Sequence, residues 1–136
     1  MQKAVYELFD EIDNLPTDEH RIYALRQAGN GRLQELLRYV FGSKEWDLPE
    51  GAPPFKPCDE TNSHGYLWAD IRLLYIFLKY STALTPRQKE FRFISMLENI
   101  HPKDAQLLID IKDKNWQYKN ITRELIDLTF PNLIED

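Results

Sequence analysis

Apolar side chains return every three or four residues through the first third of the chain. Ala4, Val5, Leu8, Phe9, Ile12 and Leu15 form one such stripe, which predicts an amphipathic helix ending before Pro16. Thr17 is placed to cap a second helix, with Asp18 and Glu19 at its positive end, Ile22, Leu25 and Ala28 on its apolar face and Gly29 as its stop. A third helix is expected from a cap at Asn30 to Gly42, burying Leu33, Leu36, Leu37, Val40 and Phe41.

Residues 67–80, LWADIRLLYIFLKY, carry charge only at Asp70, Arg72 and Lys79. Apolar positions on nearly every side predict a central helix buried all round. The run is too short and too charged to predict a membrane span. Thr85, Pro86 and Gln88 spell a capping box with proline at the first helical position, and Phe91, Ile94, Leu97 and Ile100 are the expected core face of the helix they start. Pro102 and Asp104 repeat the device ahead of Ala105, Leu108 and Ile109, and NITRELIDLTF reads as a last short helix stopped by Pro131. With no period-two alternation and no internal repeat, the expected fold is all-α: one domain, residues 1–136, of about six to seven short helices.

Between these helical segments lies a connection, residues 43–66, with no periodic pattern and the proline-dense stretch LPEGAPPFKP. A connection of this length is either functional or an ordered wrap, and its prolines lower the entropy lost when it is held extended. Trp46, Leu48, Phe55, Tyr66 and Trp68 punctuate it and its end. The plainer expectation is a strap whose aromatics plug the helical body. Two sharper readings are a PxxP ligand at residues 54–57 and a partner-binding surface formed by Trp46, Phe55, Lys56 and Tyr66.

Composition narrows the functional classes. A length of 136 residues with 43% hydrophobic and 29% charged residues belongs to a folded, soluble chain with room for a real core. Cys58 is the sole cysteine, which excludes an intramolecular disulfide and multi-thiolate zinc sites. The N-terminal segment lacks the apolar run of a secretory signal, so an intracellular setting is expected. The net charge of −5 is uneven, with −5 over residues 1–19, +3 over 85–123 and −4 over 124–136, an asymmetry that can steer a partner.

Catalytic chemistry finds little purchase. Cys58 and His64 share the strap without an orienting third group, and with Asp59 and Glu60 they match no zinc-ligand spacing. His20 and His101 read as helix-boundary residues, while Asp10/Glu11 and Asp18/Glu19 read as solvated helix faces. No glycine-rich phosphate loop occurs. The expectation is therefore a non-enzymatic chain with no cofactor and no metal. The alternative rests on KDKNWQYK, where Lys112, Lys114, Trp116, Tyr118 and Lys119 mix cations with stacking rings in the manner of a single-stranded nucleic-acid binder. Arg87, Lys89 and Arg92 are placed to extend that patch, whereas Asp110, Asp113, Glu124, Asp127 and the overall acidity weigh against it.

Three segments, LPEGAPPFKP, ENIHPKDAQLLIDIKDK and ITRELIDLTFPNL, together resemble a family of small uncharacterised proteins of large contractile-tailed bacteriophages, of the kind that infect marine cyanobacteria. The resemblance implies a phage origin and a place in the infected bacterial cytoplasm or in the virion. It brings no activity and no site residues. The expected function is then a protein-interaction module that acts on host machinery or sits in the particle.

Overall fold

A computed structural model describes residues 3–29, 31–58 and 67–135. Seven α-helices occur among them: α1 (Val5–Asp13), α2 (Asp18–Ala28), α3 (Gly31–Phe41), α4 (Leu67–Asp70), α5 (Pro86–Asn99), α6 (Pro102–Lys112) and α7 (Arg123–Thr129), with a 3₁₀ helix, Ile71–Phe77, continuing from α4. The all-α bundle read from the periodicity is what the chain adopts, and the one β-type contact among the described residues is a single bridge between Trp46 and Leu78.

Helix starts follow the capping chemistry. The Thr17, Thr85 and Thr122 hydroxyls accept from the backbone N–H groups of His20, Gln88 and Leu125, and Gln88 Oε1 in turn accepts from Thr85 N–H, closing the box. His101 caps α6 by accepting from Lys103 N–H at Nδ1. Ala4, before α1, has no side-chain acceptor to offer. Asp104 of α6 supplies one from across the fold, its Oδ1 accepting from Tyr6 N–H at 2.8 Å. Asn30, the expected cap of α3, lies outside the described residues.

Helix α2 packs on α7, α3 on the 3₁₀ helix, α1 on α2 and α6, and α5 on both α6 and the 3₁₀ helix. Gly29 makes the α2–α7 contact possible, since a Cβ there would meet the Leu25 carbonyl at 2.9 Å and the Phe130 ring at 3.1 Å. The core runs from Phe9, Ile12 and Leu25 through Leu36, Leu74 and Phe77 to Leu97, Leu108 and Ile126, all buried.

Two expectations fail in detail. The central segment is neither wholly α-helical nor buried all round. Trp68, Ile71, Leu74 and Phe77 are buried at intervals of three, while Ala69, Arg72 and Tyr75 are exposed at the same interval. That is the repeat of a 3₁₀ helix, whose three residues per turn stack positions i and i+3. On α5 the core face is Lys89, Phe93 and Leu97, continued by Ile100, whereas Phe91 is 66% exposed and Ile94 half-buried. Phe93 is selected over Phe91 by ring contacts the sequence does not display: its centroid lies 5.4 Å from that of Phe77 and 6.5 Å from that of Trp46.

Candidate functional site: a groove beneath the strap

The described part of the strap, residues 43–58, is tied down along its length. Asp47 N–H donates to the Phe77 carbonyl at 2.7 Å and Lys79 N–H to the Glu45 carbonyl at 3.0 Å, which seats Trp46 beside the end of the 3₁₀ helix. Trp46 is 7% exposed, stacked on Phe77 and tilted against Tyr39. Further along, Gly51 N–H donates to the Asp113 carboxylate and Lys56 N–H to Glu98 Oε2 at 2.8 Å. Gly51 has φ +87°, so the strap turns there through a conformation that side-chain-bearing residues adopt at a cost.

Two buried ammonium groups complete the attachment. Lys89, 1% exposed, donates to Asp47 Oδ2 at 3.0 Å, the Leu78 carbonyl at 2.9 Å and the Ser81 carbonyl at 3.0 Å. Lys112, 6% exposed, donates to the carbonyls of Pro49 at 2.8 Å and Gly51 at 3.1 Å, and to Asp113. A buried charge persists only when its hydrogen-bonding capacity is filled, and each lysine meets three oxygens. One clamps α5 to the strap, the other α6.

Held this way, the strap walls a groove of about 330 Å³ against α5. Leu48, Pro53 and Pro54 form one side, and Phe93 and Ile94 the other. Glu50 on the strap and Glu90 on α5 are exposed on its two banks. Phe91, 66% exposed, lies one turn before Ile94 on α5 and just outside the residues that line the groove. A cleft of similar size at the end of α3 has Arg38 and Lys44 opposite Glu135, and its walls are largely polar.

The expected partner-binding residues are distributed differently from the sequence reading. Trp46 is a core residue, Phe55 is half-buried against the core, Lys56 is exposed, and Tyr66 lies outside the described residues. His64, Asp59 and Glu60 also lie outside them, and Cys58 is half-buried. Among the described residues no group of three or more His, Cys, Asp or Glu side chains is arranged to hold a metal ion.

The basic-aromatic segment is not gathered into one outward surface. Lys112 is consumed by the strap, and Lys114 turns through φ +57° with its Nζ 3.3 Å from the Tyr39 carbonyl, partial burial lowering its pKa. Trp116 donates to the Ile121 carbonyl and packs edge-on against Phe9 and Phe41, while the Tyr118 hydroxyl donates to Asp10 at 2.8 Å. Burial and the Asp10 carboxylate together raise the Tyr118 pKa. Lys119 is exposed, as are Arg87 and Arg92, but Lys89 does not join them.

The carboxyl of Asp104, 3% exposed, is also perturbed: burial pushes its pKa up to about 6 against the opposing pull of the Tyr6 N–H and of His101. It anchors α1. Sequence reasoning read Phe91 as core and Lys89 and Lys112 as parts of a basic patch, and did not single out Glu50 or Glu90. The available signal was Lys89 at i, i+4 and i+8 spacing with Phe93 and Leu97, a pattern visible only when a lysine stem is counted as apolar.

Residues 8–118 match DUF6433, described as a family of unknown function. The chain belongs to that family. The DUF6433 match takes in the strap, both clamping lysines and the whole groove, and leaves α7 outside. No curated protein and no solved structure matches the chain.

Proposed function

We propose that this chain is a phage-encoded, non-enzymatic protein-interaction module, acting either on host machinery during infection or as a virion-associated component. The observation that carries the reading is the groove beneath the strap: an apolar cleft with both walls pinned, and an exposed phenylalanine, Phe91, one helical turn along α5 from Ile94 in its wall. Surfaces of this kind, aromatic and already rigid, bind other proteins without a large ordering cost. The buried charged groups Asp104, Lys89 and Lys112 hold elements together, the first on α1 and the lysines on the strap, which supports an architectural use of that chemistry.

The test is affinity capture from cells infected by the encoding phage, with mass spectrometry of purified virions alongside. The wild-type chain recovers a defined partner, or is itself found in the particle, and Phe91→Ser loses that association while unfolding at nearly the same temperature. An identical set of recovered proteins for both forms, together with absence from the virion, overturns the proposal.

A further inference from the structure

We infer that the groove receives a basic segment of another protein, anchored by a single bulky apolar side chain. The inference rests on the interaction-module reading above and adds the chemistry of the occupant. The volume of about 330 Å³ is at the small end for a binding pocket and suits one side chain more than an extended ligand. Its walls, Leu48, Pro53, Phe93 and Ile94, offer an apolar side chain contact on two faces.

Charge then selects the flanks. Glu50 and Glu90 stand exposed on opposite banks. The cation that lines the groove, Lys112, is already bonded to two strap carbonyls and paired with Asp113, so among the lining residues the two glutamates carry the charge left unengaged, with Arg87 one turn before Glu90 on α5 and outside the lining. A segment with Lys or Arg on either side of the anchor brings a cation to each glutamate. Phe91, 66% exposed one turn before Ile94, offers a ring face on which a flanking arginine's guanidinium stacks favourably. An acidic segment meets the same two glutamates as repulsion.

Fluorescence anisotropy with three labelled peptides tests this: Lys-Arg-Ser-Phe-Arg-Lys, its acidic counterpart Glu-Asp-Ser-Phe-Asp-Glu, and Lys-Arg-Ser-Gly-Arg-Lys without the anchor. The first is expected to bind, the other two at least about tenfold more weakly. Phe91→Ser is expected to weaken the first by about tenfold, Glu90→Gln by about threefold, and added salt to weaken it further. Both substituted positions are exposed, and unfolding temperature confirms that each variant is folded.

Equal binding of the acidic peptide, or binding that Phe91→Ser leaves unchanged, overturns the inference. So does a wild-type dimer in sedimentation that Phe91→Ser dissolves, since a second copy then covers the groove. Failure of all three peptides at about 1 mM overturns it as well. If the partner captured from infected cells is still lost with Phe91→Ser in that last case, the interaction module stands and only the chemistry assigned to its occupant falls.

Discussion

Lys89→Met removes one ammonium and keeps most of the stem that fills the core. The carbonyl of Leu78 then loses a donor inside the protein, an omission worth about 1–3 kcal/mol, and the part-buried Ser81 carbonyl loses another worth about 1 kcal/mol. The Asp47 carboxylate also loses its partner, but its side chain is 32% exposed and recovers water. Breaking a fully buried pair costs about 3–5 kcal/mol, so the partial exposure of Asp47 brings the expected loss to about 2–4 kcal/mol. For a chain of this size that lowers the unfolding temperature by about 8–16 °C.

Urea denaturation followed by circular dichroism measures the loss, with an unchanged slope confirming that the compactness of the unfolded chain is the same. Adding Asp47→Asn to Lys89→Met is expected to recover part of it, because a neutral amide replaces an unpaired carboxylate. Lys89→Arg keeps the charge but presents a planar fork to oxygens gathered about a single nitrogen, and falls between the two. A Lys89→Met loss below about 1 kcal/mol would refute the assignment of this lysine as a clamp.

Asp104 makes stability pH-dependent in the direction opposite to a salt-bridged acid. Its folded pKa of about 6 exceeds its ordinary value of 3.8, so the folded chain binds the proton more tightly. This contribution is whole below pH 4 and is lost as pH rises to about 6, amounting to about 3 kcal/mol after the neighbouring Tyr6 N–H, His101 and Glu7 have acted. Asp104→Asn, which keeps an acceptor for Tyr6 N–H, is expected to flatten that window in a pH series of urea melts and to be at least as stable as wild type at pH 7.5. A steeper dependence in Asp104→Asn would contradict the assignment. Gly51→Ala has open space for its methyl group but must adopt φ +87°, so a loss of about 1–2 kcal/mol is expected from strain alone, and an unchanged melting temperature would show that the strap turns elsewhere. Lys114→Gly relieves a left-handed residue just beyond α6 and is expected to stabilise by about 0.5–1 kcal/mol, less whatever its Nζ contact with Tyr39 contributes, and a lower melting temperature would assign that contact the larger role.

Local signals carried most of the fold. Thr17, Thr85, Pro86, Gln88 and Pro102 mark helix starts because capping depends on a few consecutive residues, and each of these helices begins where its letters place it. Tertiary choices were illegible for equally physical reasons. Residues 71–77 are apolar at most positions, so nothing in their pattern distinguishes a turn of three from one of 3.6. Phe91 and Phe93 fall on different faces of α5, and only the rings of Trp46 and Phe77 decide which is buried. The groove was hidden more deeply, because it exists between a strap and a helix joined through two lysines whose composition alone reads as solvent-facing.

The strap is locked across the bundle by its backbone bonds and by Lys89 and Lys112. Amide hydrogen exchange reads this directly at Asp47, Gly51 and Lys56, whose N–H groups donate to Phe77, Asp113 and Glu98. All three amides are expected to be protected in the wild type, with Asp47 losing protection in Lys89→Met and Gly51 in Lys112→Met while the helices retain theirs. Exchange of these strap amides at the rate of an unstructured peptide, with α5 and α6 fully protected, would contradict it.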